Sequence, residues 1–296
     1  MKNILLIYYT QSGQLFEIAR SLTKPLSDNP DINLDLVNVE PLIPYPFPWP
    51  FLRFFDVLAE SVLMVAPEMK SFQINKGSTY DLILLCYTVW FLSPSLPITG
   101  FLKSSDARIM QGVPVITIVN ARDKWVTAQE QVKRWIDHHG GRLVGHIAVI
   151  PDTPALAGLV TTLRWLWAGK KKGFWRFPDA GVPKAQIDGL ERFGRLIRDG
   201  LMDGSIDKGL PVLEGYDSAA IDPDLVRQER VGYRVFQFWA RAIHSCGPPG
   251  DWKRLPIIAF FMIILGTLIA LSFPIGMVLK FIVNPLRKSL LIKNSS

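Results

Sequence analysis

Short apolar runs alternate with helix-period segments along the first 150 residues of the chain. The runs at 4–9, 81–87 and 113–119 are almost continuously apolar, which is typical of strands buried on both faces of a parallel sheet. Residues 32–39 alternate apolar and polar side chains, which predicts a strand near a sheet edge. A run at 142–150 completes five predicted strands. No hairpin-type turn dipeptide separates them, so the pattern predicts an open, doubly wound, five-stranded parallel α/β sheet.

The hydrophobic pattern changes near the C-terminus, where residues 255–279 carry no charged side chain. This stretch exceeds the roughly 20 residues that an α-helix needs to cross a bilayer, so we predict membrane insertion. Basic residues flank both ends and Pro274 divides the stretch, which leaves a single span and a hairpin that re-enters on the same side both open. We expect residues 255–283 to anchor the chain at the cytoplasmic face of the cell membrane.

Two insertions exceed what the predicted sheet needs. Residues 41–76 begin with alternating prolines and aromatics, which cannot form a helix and predict a stiff apolar arm. A lid over a ring site, ordinary packing on the sheet and a ligand for a proline-binding module are all open for it. Residues 152–182 place three tryptophans near a lysine cluster at 170–172, a composition typical of the water–lipid interface. A solvated basic loop and a site for the phosphate of NADPH are the alternatives.

These boundaries predict three regions along the chain. Residues 1–202 form the main domain, with the two insertions inside it. Residues 203–251 form a polar connecting region that includes an amphipathic helix at about 225–244. Residues 252–296 form the membrane segment and a basic tail.

Composition limits the partners. The chain is 49% hydrophobic and carries a formal net charge of +7 at pH 7, which fits anionic lipid or acidic small molecules. No RNP, zinc-finger or helix-turn-helix signature is present, so we expect no nucleic-acid partner. Cys86 and Cys246 alone predict neither a disulfide framework nor a metal site. The N-terminus has no secretory signal, which fits a reducing compartment.

Doubly wound sheets bind ligands beyond the carboxyl ends of their strands. The loop after the first strand places hydroxyls, a glycine and free backbone N–H groups at a helix N-terminus, which favours a phosphate site; a turn and N-cap without a ligand is the alternative. The loops at 88–97 and 120–126 add bulky apolar residues that would wall a flat ring, and polar groups. The candidate binding residues are Thr10, Gln11, Ser12, Gly13, Gln14, Leu15, Thr88, Val89, Trp90, Phe91, Asn120, Ala121 and Arg122.

Taken together, the three loops resemble those of the flavodoxin-like family. The first loop resembles the pattern T/S-x-T/S-G-x-T, and the second resembles W-x-x-x-P-S-x-P. The matching residues are Thr10, Ser12, Gly13, Gln14, Trp90, Pro94, Ser95 and Pro97. The resemblance covers residues 1 to about 150 and a helix near 183–201. It implies an FMN cofactor, with its phosphate on the first loop and its isoalloxazine ring between the other two. Leu15 stands where the pattern has threonine, which implies looser FMN binding than in flavodoxins.

Segments at 47–57, 60–64, 89–99 and 169–175 resemble one group of that family, the flavodoxin-like proteins of dialkylresorcinol biosynthesis, often labelled "dialkylresorcinol condensing enzyme". The resemblance implies FMN-dependent oxidative aromatisation of a dialkyl cyclohexanedione, an amphiphilic ring made by a ketosynthase partner. FMN takes a hydride in such a step and a base takes a proton. No ketosynthase constellation is readable in the chain. An NAD(P)H:quinone reductase and a membrane-attached flavin carrier or scaffold are the alternatives.

Two residues are candidates for catalysis. Arg122 is our preferred residue for orienting an anionic or enolised diketone, and a solvated pair with Asp123 is its alternative. Tyr87 ends a predicted strand beside the second loop, where core packing is the alternative. For the histidines we expect structural roles: His138 and His139 at a helix end, and His146 packed within a strand.

Overall fold

The computed structural model describes residues 1–75, 77, 79–216 and 222–268. Within them, one sheet contains the strands β1 (Lys2–Tyr8), β2 (Ile32–Asn38), β3 (Leu82–Trp90), β4 (Ser93–Pro94), β5 (Pro114–Asn120) and β6 (Arg142–Val149). Five strands pair in parallel in the order β2-β1-β3-β5-β6, and the short β4 pairs antiparallel with β3. This is the doubly wound order of flavodoxin-like sheets, so the predicted architecture is confirmed.

Helices cover both faces of this sheet. Among the described residues before position 245, the α-helices are α1 (Gln14–Ser27), α2 (Phe51–Asp56), α3 (Leu58–Val62), α4 (Leu96–Leu102), α5 (Val126–His138), α6 (Ala155–Ala168), α7 (Lys184–Asp188), α8 (Glu191–Met202) and α9 (Pro223–His244). On one face lie α1, α7 and α8, and on the other lie α4 and α5. The single helix expected near 183–201 is divided into α7 and α8, whereas the helices expected near 127–138 and 225–244 are present.

Alternation along the strands explains why both faces are covered. In β1, Ile4 and Leu6 belong to the core under α1 and α8, whereas Leu5 and Ile7 belong to the core under α4 and α5, and all four are fully buried. Successive side chains of a strand point to opposite faces, so a strand that is apolar throughout needs a helical layer on each side. Each fully buried aliphatic side chain contributes about 1.5–3 kcal/mol.

Close helix contact on the first face requires a glycine. A Cβ atom built at Gly194 of α8 would lie 1.9 Å from the carbonyl oxygen of Leu22 in α1. A side chain at position 194 would therefore force the two helices apart.

The end of β3 differs from the prediction. The sequence pattern gave no hairpin, but β3 extends to Trp90 and turns back into β4, pairing Val89 with Pro94 and Trp90 with Ser93. Phe91 and Leu92 make the turn with positive φ angles of 49° and 62°. Two-residue hairpin turns of type I′ require positive φ at both central positions, where glycine and asparagine are usual. Because Phe91 and Leu92 occupy these positions, the sequence does not predict the turn.

Helix α9 contacts the start of α5 through a buried carboxylate. Glu229 is only 2% exposed and accepts hydrogen bonds from the backbone N–H groups of Val126, at 3.3 Å, and Thr127, at 2.6 Å. These N–H groups open α5, whose N-cap residue supplies no side-chain cap. A carboxylate at this position satisfies unpaired donors and favours the positive end of the helix dipole.

The chain divides into two compact units, Met1–Arg241 and a second one that begins at Ala242. In the second unit, residues 255–268 are helical. Among the described residues, no helix is both long and apolar enough to cross a membrane. The predicted membrane segment continues past residue 268 and lies from there on outside the described residues, so its choice between a span and a hairpin stays a prediction.

A series of hydrogen-bonded side chains lies at the core under α4 and α5. The Tyr87 hydroxyl donates to Gln129 Oε1 at 2.7 Å, and Gln129 Nε2 donates to Thr117 Oγ1 at 3.0 Å. Thr117 Oγ1 lies 2.7 Å from Nδ1 of His146, whose ring packs against Trp125 with centroids 4.6 Å apart. His146 is thus a packed histidine, as expected. Burial lowers its pKa to about 3.

We predict that His146 makes the folded state sensitive to mild acid. Because its pKa is lowered on folding, the unfolded chain binds a proton between about pH 6.5 and pH 3 that the folded chain does not, so stability falls as the pH falls through this window. The loss is at most about 1.4 kcal/mol per pH unit. In urea unfolding at about pH 7 and pH 5, His146→Phe should lose about 1–2 kcal/mol less than the wild type. Equal losses in both proteins would contradict the prediction.

Candidate active site

The loop between β1 and α1 presents unpaired backbone donors. Within the described part of the chain, no N–H group from Gln11 to Gln14 donates a hydrogen bond. Gly13 has a φ of 84°, and space around its Cβ position is open. Thr10 Oγ1 is buried and has no partner among the described residues. Unpaired N–H groups ahead of a 14-residue helix, beside an unpartnered hydroxyl, suit an anion such as phosphate.

Two side chains of this loop are turned away from solvent. Gln14 exchanges hydrogen bonds with the backbone of Val182, at 3.3 Å and 3.2 Å, and so ties the start of α1 to the segment before α7. Leu15 is 1% exposed and packs in the core beneath α1. The position that carries threonine in the resembled pattern is therefore occupied by a core residue here, while Ser12 and Gly13 stay exposed.

A segment that we call the aromatic arm, residues 41–62, is held against this loop. Gln11 Nε2 donates to the carbonyl oxygen of Pro46 at 2.7 Å, and Trp49 Nε1 donates to Gln11 Oε1 at 3.0 Å. The backbone N–H of Trp49 also donates to the Leu166 carbonyl oxygen of α6 at 2.7 Å. One glutamine side chain thus links the candidate phosphate loop to the arm. The arm begins without helical structure, as expected, and then forms α2 and α3.

Aromatic rings join the aromatic arm to the end of β3. Trp90 contacts the rings of Tyr9, Tyr45 and Trp49, with centroids 6.2, 5.1 and 5.5 Å away. Trp49 is 3% exposed. Burial raises the pKa of Tyr45 to about 12, so its hydroxyl stays protonated at neutral pH. The second loop therefore forms an apolar wall, as expected, with Tyr45 and Trp49 as members that the sequence analysis did not identify.

The three tryptophans of the second insertion are in different environments. Trp167 contacts Phe51 with ring centroids 4.8 Å apart, and Trp165 contacts Phe47 at 5.8 Å. Both lie on α6, and both pack against the aromatic arm. Trp175, by contrast, is 88% exposed. The tryptophan-rich composition thus reflects internal packing at two positions and a solvent-facing ring at one.

The third loop lies beside the same edge of the sheet. Asn120 ends β5, where it pairs with Thr88 of β3 and Val149 of β6. Ala121 is 8% exposed, and Arg122 is partly exposed and pairs with Asp123 at 3.1 Å. Asp123 also pairs with Lys124 at 3.3 Å. The ion pair with Asp123 that was the alternative for Arg122 is therefore present.

Tyr87 is placed in the core. Its side chain is fully buried on the α5 face, and its hydroxyl donates to Gln129. Burial raises the pKa of Tyr87 well above its usual value, so the phenol stays protonated. A buried, protonated phenol whose hydrogen is already donated does not match a base that meets a substrate. We leave Tyr87 out of the chemistry proposed below.

A groove with a volume of about 1030 Å³ lies between α1 and residues 171–191. Its cationic lining residues are Arg20, Lys24, Lys171, Lys172 and Lys184. Acidic side chains share the lining, and two of the cations are paired: Lys24 with Glu191 at 3.3 Å, and Lys172 with Asp179 at 3.1 Å.

The first loop fits the phosphate of FMN, whereas the wall at Trp90 is already in contact with rings of the aromatic arm. The phosphate end fits, because unpaired N–H groups and the Thr10 hydroxyl lie at the start of α1. The ring end offers a suitable flat wall at Trp90, but the arm rings pack against that wall. A ring there would lie against the aromatic arm or displace it.

No protein-family model matches the chain, and no curated protein matches its sequence. Among solved structures, a flavoprotein in complex with FMN from Lactobacillus acidophilus NCFM is similar, at 20% identity and a TM-score of 0.40, over 50% of this chain and 93% of that one. A flavodoxin from the domain Archaea is 12% identical, with a TM-score of 0.37, over 68% and 99% of the two chains. The WrbA-like flavodoxin from Agrobacterium tumefaciens is 10% identical, with a TM-score of 0.38, over 69% and 99%. The fold assignment stands on the strand order and not on these scores.

We predict that Gln11 keeps the aromatic arm closed. Gln11→Ala removes both hydrogen bonds to the arm, which at about 0.5–1.5 kcal/mol each should make the amides between Trp49 and Val62 exchange about tenfold faster with deuterium. Gln186→Ala is the matched control, because that glutamine also donates to a backbone carbonyl, that of Ile150, at 2.6 Å. If Gln11→Ala exchanges like the control, the arm is held by its rings alone.

Proposed function

We propose that the chain is an FMN-dependent oxidoreductase that holds the FMN phosphate at residues 10–15. The observation that carries the proposal is the run of unpaired N–H groups at the start of α1, together with the buried, unpartnered hydroxyl of Thr10. Eight buried side-chain atoms of the described residues lack a partner, and the Thr10 hydroxyl is the one that lies in the loop with the unpaired N–H groups, where a ligand could bond to it. The flavodoxin-like strand order places the loop at the ligand-binding edge of the sheet.

Each part of the site has a separate task in this proposal. The exposed Ser12 and Gly13 admit the phosphate, and the N–H groups donate to its oxygens without a cationic side chain. Trp90 lines one side of the ring position, and the aromatic arm excludes water from it. FMN, when bound, supplies a two-electron acceptor for a hydride. Exclusion of water by rings favours an apolar, ring-shaped substrate.

The substrate that we propose is a dialkyl cyclohexanedione, which becomes a dialkylresorcinol when the ring loses one hydride and one proton. The proposal follows from the resemblance of residues 47–57, 60–64, 89–99 and 169–175, most of which form the aromatic arm and the β3–β4 hairpin. In this proposal Arg122, which follows β5 and is partly exposed, orients the enolised diketone through its guanidinium. Membrane attachment through residues 255–283 would deliver such an amphiphile, and a ketosynthase partner would supply it.

A quinone reductase that uses NAD(P)H is the second candidate. The observation that favours it is the groove beside α1, because Arg20, Lys171 and Lys184 line it and suit a nucleotide phosphate. A membrane-attached flavin carrier or scaffold is the non-enzymatic candidate. Three outcomes distinguish the candidates. Turnover of the cyclohexanedione supports the first, and oxidation of NAD(P)H with a quinone supports the second. Flavin absorbance without either turnover supports the carrier.

We predict that Gly13→Asp weakens FMN binding at least about tenfold, because its carboxylate would face the phosphate at close range. Gly204→Asp is the matched control, since Gly204 also has a positive φ of 77°, with open space around its Cβ position, and follows α8 away from the loop. Titration followed by flavin absorbance and fluorescence measures both. Wild-type protein that stays colourless after incubation with FMN would remove every flavin-dependent candidate.

For catalysis, we predict that Arg122→Ala leaves FMN bound but raises the KM for the diketone about tenfold, the usual scale for loss of one charge-assisted hydrogen bond. Lys124→Ala is the control, because Lys124 pairs with the same Asp123. Unchanged kinetics in Arg122→Ala would remove Arg122 from the site.

A further inference from the structure

Helix α9 has two opposed faces. Its inner face carries Glu229, Tyr233 and Phe236, which contact the start of α5, the carbonyl oxygen of Val62 and the ring of Phe91. Its outer face is exposed, and Arg230 at the edge of that face pairs with Glu130 of α5. The exposed residues of the outer face are Asp224, Arg227, Gln228, Arg230, Val231, Arg234, Val235, Phe238 and Arg241. Their spacing of three and four residues places them on one side of a helix.

The apolar members of the outer face are strongly exposed. Val231 is 56% exposed, Val235 is 43% exposed and Phe238 is 65% exposed. Single exposed apolar residues are ordinary on protein surfaces, but three along one helix face form a stripe. The stripe is flanked by arginines, of which Arg230 reaches across to Glu130 of α5 at 2.9 Å.

The charge of the outer face is mainly positive. Of the two acidic residues of α9, Asp224 is exposed in the first turn of the helix, whereas Glu229 is buried on the inner face. An apolar stripe flanked by arginines matches helices that lie in the plane of a bilayer, with the apolar side chains among the acyl chains and the guanidinium groups on anionic lipid headgroups. Nucleic acid would use the arginines but would leave the apolar stripe without a role.

We propose that the outer face of α9 docks on an anionic lipid bilayer, as a membrane contact distinct from the predicted C-terminal segment. The sequence places this contact near a membrane, because only residues 245–254 separate α9 from the start of that segment and can span at most about 40 Å. The inference rests on the proposed membrane attachment and not on the flavin.

Docking of α9 would bring the candidate site close to the bilayer, from which an amphiphilic substrate would enter. The inner face of the helix packs on Phe91, at the turn that follows Trp90, and on Val62, at the end of the aromatic arm. One helix therefore has the bilayer on one side and the elements of the ring site on the other.

The test uses the full chain with Cys246→Ser, so that a dye reacts only with a newly introduced cysteine. Cys86 is buried and is kept. Phe238→Cys carries a polarity-sensitive dye, and Arg195→Cys on α8, which covers the opposite face of the sheet, carries the same dye as the control. The proteins are reconstituted into vesicles of phosphatidylcholine alone or with phosphatidylglycerol. With phosphatidylglycerol, we expect the emission of the dye at 238 to shift to the blue and most of its quenching by aqueous iodide to disappear. Neither change should occur with phosphatidylcholine alone. The dye at 195 should stay quenched in both kinds of vesicle.

Charge variants examine the arginines separately. Arg227→Gln and Arg234→Gln should each weaken the contact roughly fivefold, seen as renewed iodide quenching at 238, whereas Arg195→Gln should have no effect. Equal quenching at 238 and 195 in every vesicle would overturn the proposal. An equal shift in both lipids would overturn the role of anionic headgroups. A label already protected in detergent, before vesicles are added, would assign the face to another protein surface. Flavin absorbance of the same samples reports the proposed function independently.

Discussion

Aromatic packing on Trp90 covers the carboxyl ends of β1 and β3, and the arrangement of both insertions depends on this packing. A parallel sheet buries both faces under helices, but its strand ends open into a crevice. Here the crevice is lined by Trp90 and covered by the aromatic arm, whose Trp49 is almost fully buried. Helix α6 then covers the outer side of the arm through Trp165 and Trp167. The two insertions thus pack together, although 75 residues separate them in the chain.

Polar anchors determine how this apolar cover is positioned. Aromatic pairs can adopt either offset-stacked or edge-to-face arrangements, whereas the hydrogen bonds of Gln11 to Pro46 and Trp49 fix the arm over one loop. Gln14 does the same for the segment before α7, through the backbone of Val182. Both glutamines belong to the loop that we propose for phosphate. A ligand bound there and a change in the arm would therefore affect each other through Gln11.

Local strain and a buried charge are concentrated around the same edge. Phe91 and Leu92 adopt positive φ angles, which cost on the order of 1 kcal/mol or more for each non-glycine residue. The contacts of Phe91 with Phe54 and Phe236 offset this cost and hold the hairpin that presents Trp90. Glu229 meanwhile caps α5 just after the third loop. Helix α9 thus stabilises two of the three loops that border the candidate site.

The sequence by itself determined the parallel sheet and its two helical layers, because continuous apolar runs such as 4–9 and 81–87 can be buried only between two such layers. It also indicated the first loop, since a glycine and hydroxyls between a strand and a helix are a local signal. Only the tertiary structure decided that Leu15 and Tyr87 are core residues, that Gln11 holds the arm, and that Trp165 and Trp167 pack inward. These outcomes depend on contacts between segments 30 to 120 residues apart, such as Gln11 with Trp49 and Phe47 with Trp165, and composition carries no record of which rings meet.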